Sequence, residues 1–434
     1  MLAFQTLVVT VHRGQHEHVT RHDLRGRGIS AWIVGRSVGV GQAWLPAGIA
    51  VAVVGWGANQ FTPLLLMYRA ELGLSATTVQ AMFGVYALGL IPGLLLGGPI
   101  SDSHGRRRVM LPALVMSMLG SALLILGGSA PVWLFAGRLV AGVASGAAFS
   151  SGAAWIKELS TGQADGHNPG ARRATVAMTT GFAGGPCVAG ALAQWAPMPT
   201  VLPYLPHLAS VMAAVPLVLG AVETRLPNGR DSARSRPGVS AVRDRRFRTV
   251  VVPFAPWVFG SAAIAMAYLP GLVGNRLGGA TLVFSAAVST LTALAGIVVQ
   301  PVARRAHDPR TPRLIGTAMA IVVVGLLIGA VSAAASEPAL VLTAAAVLGA
   351  GYGCCQVCGL LEVQRLAPPD GLARLTASYQ AITYLGFAVP FVLAAAQRAV
   401  PASVLLWATA VLAGLTLVWT VRCGGRANAV AARR

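Results

Sequence analysis

Arg138 stands in the middle of an apolar run, PVWLFAGRLVAGVASGAAF. A guanidinium there is a permanent charge with five donors, suited to anchoring a polar or anionic group and to exchanging partners as protons come and go. Gly142 and Gly146 follow on the same helical face. A second constellation is Gly98-Pro99-Ile100-Ser101-Asp102-Ser103-His104-Gly105-Arg106-Arg107-Arg108, one carboxylate just ahead of three arginines. A third, Gly181-Phe182-Ala183-Gly184-Gly185-Pro186-Cys187-Val188-Ala189-Gly190, offers no reactive group but a smooth, kinkable surface. Other patterns are weaker. Cys354, Cys355 and Cys358 form CCxxC inside an apolar run and read as packing thiols. His16, His18 and His22, with His12 nearby, read as a solvated tail rather than metal ligands. No metal or other cofactor is expected. His207, in another apolar run, is a minor candidate for carrying a proton.

Composition excludes several classes of function. The lone lysine, Lys157, follows Ile156, so the GxxxxGK[ST] phosphate loop of nucleotide-driven motors is absent. Of 434 residues, 55% are hydrophobic and 11% charged. A soluble domain is about 25% charged. Mean hydropathy is +0.68. Such a chain lacks the polar surface to wrap soluble cores, so most of its surface must face lipid. Five cysteines, an odd number, imply no disulfide framework. A net charge of +20 would point to nucleic acid in a soluble protein, and here its distribution decides.

Runs of about 20 apolar residues mark membrane-spanning helices. Twelve are read, over 47–68, 77–100, 109–128, 132–155, 174–195, 203–222, 250–272, 279–302, 313–333, 338–361, 375–396 and 401–421. With both termini in the cytoplasm, 29 basic residues fall inside and three (Arg69, Arg276 and Arg398) outside, with Arg138 in a span. That asymmetry follows the rule that arginine and lysine stay on the cytoplasmic side. It explains the charge without nucleic acid and predicts attraction to anionic lipid on the cytoplasmic face. A multi-pass protein of the plasma (cytoplasmic) membrane is expected, as a monomer. Residues 1–11 lack the basic start of a signal peptide.

The predicted fold is an all-α membrane protein of two pseudo-symmetric six-helix bundles. Its parts are a cytoplasmic N-terminal extension at 1–45, a bundle at 46–222, a polar cytoplasmic linker at 223–249, a second bundle at 250–422 and a tail at 423–434. Weak internal similarity supports the repeat. Gly142 and Gly146 recur as Gly349 and Gly353, Glu158 as Glu362, Asp165-Gly166 as Asp370-Gly371, and Arg173-x-Thr175 as Arg374-x-Thr376. Repeated halves of this kind put a transport site between them near the bilayer midplane.

The Gly98–Arg108 loop, between spans two and three, resembles the loop motif of the major facilitator superfamily, and the twelve-span plan resembles that family over about residues 46–422. The resemblance implies a gating role for Gly98, Asp102, Gly105, Arg106, Arg107 and Arg108. Gly98 would let helices approach closely, Asp102 would face the start of span eleven near 373, and the arginines would pair with carboxylates such as Glu158. Arg138 is similar to an arginine of the family's proton-coupled members, with Asn59 and Gln60 as hydrogen-bond partners and Gly142 and Gly146 beside it. Gly181, Gly185, Pro186 and Gly190 resemble the family's antiporter motif. The resemblance sets the stripe Gly181, Gly185, Ala189 and Ala193 against span eight. Trp56, Trp257, Tyr352, Gln356, Tyr379, Gln380 and Tyr384 are candidate cavity-lining residues, and Glu362 is expected to pair with Arg365.

The function these observations imply is export of a small amphipathic compound in exchange for protons by alternating access. The spans lack a deeply placed acid, which turns the substrate expectation toward neutral or anionic compounds. An uptake symporter or facilitator is the alternative, and a non-transporting scaffold or sensor is a third reading. An enzyme is not expected, because the spans hold no acid pair or histidine cluster.

Overall fold

The computed structural model describes residues 42–160, 169–224, 244–308, 311, 313–367 and 372–432. Their regular structure is entirely helical. Twelve segments among them are long and apolar enough to cross a membrane: Leu45–Glu71, Ala76–His104, Arg106–Leu126, Pro131–Glu158, Pro169–Trp195, Leu202–Leu219, Phe247–Leu272, Thr281–Arg305, Arg313–Ala335, Pro338–Leu366, Leu375–Ala396 and Ala402–Gly425. Inside a bilayer only intrachain bonds satisfy the backbone, so apolar runs of this length have to be helical. They coincide with the twelve predicted spans apart from a few residues at the ends. The histidine pattern at 12–22, the Asp-Gly pairs at 165–166 and 370–371 and most of the linker lie outside the described residues.

Spans one and seven are both broken, and their breaks correspond. Span one runs as a helix over Leu45–Asn59, a 3-10 turn over Thr62–Leu64 and a short helix over Leu65–Glu71. Pro63 has no N–H for the carbonyl four residues back, so the regular ladder fails there. Span seven gives way to a π-helical turn at Ile264–Tyr268 and a 3-10 turn at Leu269–Leu272, around Pro270. Pro63 and Pro270 are 207 residues apart, the separation that also relates Gly142 to Gly349 and Gly146 to Gly353.

Those glycines do the same job in each half. A Cβ on Gly142 or Gly146 would collide with backbone between Tyr86 and Leu94 of span two. On Gly349 or Gly353 it would collide with Thr292 or Gly296 of span eight. The fourth helix of each half is therefore seated on the second by a pair of missing side chains. The buried apolar residues form two cores. One is built from residues 47–221, with Ala263, Ala267, Tyr384 and Phe387 joining it, and the other from residues 247–413.

Contacts between span ends define the two ends of the molecule. At one, the basic end, the start of span three meets the ends of spans four and six, and the start of span seven meets the end of span ten. At the opposite end, the start of span two meets the end of span eleven, and the end of span five meets the start of span eight.

Candidate functional site

At the basic end, Gly105 separates spans two and three. Its φ of +105° is a left-handed conformation that a side chain would strain. The turn presents Arg106, whose side chain is buried. Its Nη2 lies 2.6 Å from Asp102 Oδ1 and donates to Glu158 Oε1 at 2.7 Å, its Nε donates to Glu158 Oε2 at 3.2 Å and its Nη1 to Ser101 Oγ at 2.6 Å. Glu223 accepts from the backbone N–H groups of Arg106 and Arg107, both at 2.9 Å, and so caps span three with a carboxylate where the helix dipole favours one. Arg107 donates to the carbonyl of Leu219 at 2.9 Å, and Arg108 is exposed. The predicted pairing with Glu158 is present. Glu223 was invisible to the sequence reading because it sits at the edge of a polar linker. All these partners belong to the first half. The side chains at 373–374, which Asp102 was expected to face, lie outside the described residues.

Gly98 does not have the predicted role. A Cβ there would meet only Ser150 at 3.8 Å, an ordinary contact, whereas on Gly97 it would lie 2.6 Å from Ala147 Cα. One residue along a helix turns the chain by about 100°, so the tight position is the neighbouring glycine. In the second half, Glu362 is held by Arg246, with Nε at 3.0 Å and Nη2 at 3.1 Å. Spacing along one helix suggested Arg365 and could not reveal a partner from span seven.

Arg138 is 1% exposed and does not snorkel. Its Nη1 donates to the carbonyl of Ala58 at 2.9 Å, just before the break in span one. Its guanidinium carbon lies 4.5 Å from the ring centroid of Tyr86, 4.8 Å from Phe61 and 6.0 Å from Phe83. An arginine at a helix centre costs about 2.5–3.5 kcal/mol on insertion scales. A hydrogen bond to a charged group returns about 1.5–3 kcal/mol, and each desolvated cation–π contact about 1–2 kcal/mol. The cage therefore compensates the burial. The predicted partners Asn59 and Gln60 are placed otherwise. Asn59 lines the central cavity, and Gln60 donates to Ser121 Oγ at 2.8 Å. Ser121 in turn bonds His207 Nδ1 at 2.8 Å, and His207 Nε2 lies 3.3 Å from Ser117. Arg138 Nε, Gln60 Oε1 and Thr62 Oγ1 are buried without a hydrogen-bond partner among the described residues, all at or against the break in span one.

The glycines of span five divide between two neighbours. A Cβ on Gly181 or Gly185 would strike Ala52 or Trp56 of span one, not span eight. Gly190 is the position that meets span eight, at Ala286 and Leu282. Nine residues of α-helix rotate by about 180°, so Gly181 and Gly190 face opposite ways. Pro186 is buried within the helix.

Between the halves lies a cavity of about 50 Å³, lined by Asn59, Tyr86, Leu90, Phe149, Phe182, Phe259, Ala262, Met266, Thr292, Ala293, Ile297, Tyr352, Tyr384 and Phe387. Seven of these are aromatic, and none is charged. Phe259 stacks on Tyr384 at 4.4 Å. Asn59 and Met266, Tyr86 and Ala293, and Leu90 and Ile297 are each 207 residues apart, so the cavity straddles the relation between the halves. Arg138 stands behind Tyr86 and does not line it. Of the predicted lining residues, Tyr352 and Tyr384 are present. Trp257 turns to span twelve, where its Nε1 donates to Thr416 Oγ1 at 3.2 Å. Tyr379 is buried against Gly359, Gln356 donates to Gln380 at 3.5 Å, and Trp56 packs on Gly184 and Gly185. The missed aromatic residues are, Tyr86 apart, phenylalanines, which in an apolar run look the same whether they face lipid or a cavity.

The Major Facilitator Superfamily model matches residues 47–390. The bacillibactin exporter of Bacillus subtilis (strain 168) is 26% identical over 143 residues, 32% of this chain and 36% of that protein. The probable polyol transporter 6 of Arabidopsis thaliana is 28% identical over 120 residues, 28% of this chain and 24% of that one. The matched region thus spans well under half the length of either relative. A crystal structure of a POT family transporter in complex with 5-aminolevulinic acid superposes with a TM-score of 0.70 at 13% identity, covering 90% of this chain and 98% of that one, a likeness of fold. With the family match running from the first span into the eleventh, the chain belongs to the Major Facilitator Superfamily.

Proposed function

We propose that the protein exports a small amphipathic compound, drug-like or a metabolite, in exchange for protons, by alternating access to the central cavity. The observation that carries this is the lining of seven aromatic rings without a charge. Such walls bind apolar and aromatic surface and use few polar groups to orient it. At about 50 Å³ the cavity has room for only a few waters, so the halves must separate to admit an organic compound. Among the described residues, several side-chain bonds join the halves at the end opposite the basic one. Gln80 Nε2 donates to the carbonyl of Ala267 at 2.6 Å, Thr77 to that of Ala394 at 3.4 Å, and Gln194 to that of Gly279 at 2.7 Å while accepting from the N–H of Leu282 at 3.1 Å. These side-chain bonds can be exchanged for water when that end opens. The arginine excess supports a reading in which the basic end faces the cytoplasm, here across a plasma membrane.

Coupling is assigned to Arg138. It touches Tyr86, which lines the cavity, and the carbonyl at the break of span one, so a change of substrate or protonation in the cavity reaches a movable backbone element through one ring. The polyol relative favours uptake of a sugar-like compound as a second reading. Against it, the lining offers a polyol only Asn59, Thr292 and three tyrosine hydroxyls. The test is reconstitution in vesicles with an imposed proton gradient and a panel of aromatic amphiphiles and polyols. Uphill movement of an amphiphile, with protons moving the other way, supports the proposal. Flux of polyols alone, indifferent to the gradient, overturns it.

A further inference from the structure

Among the described residues, the end opposite the basic one holds three basic residues, Arg69, Arg276 and Arg398. Two of the three, Arg69 and Arg398, line one cavity of about 320 Å³. That volume is in the range of sites for small organic ligands, about 300–1,000 Å³. No carboxylate lines it, and neither guanidinium has an acidic partner among the described residues. Two unneutralised guanidiniums on a cavity with partly apolar walls concentrate anions there, and each can grip a carboxylate with two parallel bonds.

The cavity also straddles the seam. Arg69 ends span one of the first half, and Arg398 follows span eleven of the second. A Cβ on Gly271 of the second half would lie 3.7 Å from Arg69 Nη1, so this arginine reaches across. The floor is the Gln80–Ala267 bond, and a wall is the Thr77–Ala394 bond. Any ligand held by both arginines spans the surfaces that must part when this end opens.

We propose that this cavity binds a soluble organic polyanion, of the polycarboxylate class, which bridges Arg69 and Arg398 and holds this end of the transporter shut. The clamp rests on the alternating-access reading, but occupancy of the site does not. The probe is citrate against sodium chloride at matched ionic strength, with protein in phosphatidylcholine nanodiscs. Citrate raises the melting temperature of the wild type and of Arg276→Gln, which removes a charge from the same end outside the cavity. The double variant Arg69→Gln/Arg398→Gln melts like the wild type in chloride and loses the citrate response, with apparent affinity down at least tenfold. In a background without native cysteines, citrate slows thiol labelling at Ala286→Cys, which packs at the seam, at least fivefold. A response that persists in the double variant, or one that Arg276→Gln also abolishes, overturns the site. So does stabilisation by phosphatidylglycerol with none by citrate. Labelling unaffected by saturating citrate overturns the clamp. Melting does not depend on transport, so failure of the vesicle assay and failure of this site are read separately.

Discussion

Arg138 is held by one carbonyl and three rings, and each contact constrains what can replace it. Lysine keeps the charge but loses the flat face that lies over Tyr86 and Phe61, so Arg138→Lys is expected to lower gradient-driven flux at least tenfold, and Arg138→Gln to abolish it, with both proteins reaching the membrane in normal amounts. Flux at constant protein level in reconstituted vesicles checks this. The Arg106–Glu158 pair is the second residue-scale prediction. Removing one partner of a fully buried pair costs about 3–5 kcal/mol. Glu158 is 28% exposed at the side chain, which screens the pair and reduces the expected cost of Glu158→Gln to about 1–3 kcal/mol. Thermal melting in detergent should show a lower transition, while Arg108→Gln, with its exposed side chain, leaves it unmoved. At this scale the sequence was partly legible. An arginine inside an apolar run and a carboxylate near three arginines announce themselves. The cage of Arg138 did not, because a phenylalanine carries no mark of the ring face it presents. Glu223 and Arg246 act across the fold from positions that read as linker.

Span boundaries were legible because the bilayer enforces them, requiring about 20 apolar residues with satisfied backbones. The break in span one and its counterpart in span seven were also written in the chain, as Pro63 and Pro270 at the repeat distance of 207. Facing direction was not. Gly190 lies five residues beyond Gly185 and so about 140° round the helix, which is why Gly181 and Gly185 reach span one while Gly190 reaches span eight. The glycine contacts give a sharp test. Gly97→Ala forces span two off Ala147 and should destabilise by about 1–3 kcal/mol, whereas Gly98→Ala meets only Ser150 at 3.8 Å and should be near neutral. Gly146→Leu and Gly353→Leu should both prevent assembly, being equivalent seats in the two halves. Gly414→Leu, with nothing within 4 Å of its Cβ position, should be tolerated. Yields of monodisperse protein by size-exclusion chromatography separate these outcomes.

At the scale of the whole molecule, most of the described basic residues gather at one end, and the proposed orientation turns that end to the cytoplasm. Cysteines at His104 and Arg276, both exposed, should label from opposite sides of the membrane in intact cells and inverted vesicles. The two cores meet around a cavity too small for an organic substrate, and among the described residues side-chain bonds join the halves at the end opposite the basic one. On the alternating-access proposal, transport requires this seam to open and close while each half moves as a unit. The most direct test joins Gln194→Cys on span five to Leu282→Cys on span eight with a short, reducible thiol cross-linker, in a protein freed of its native cysteines. Cross-linking is expected to stop flux and reduction to restore it. Flux continuing at the uncross-linked rate, with the linkage verified as complete, would contradict the proposal.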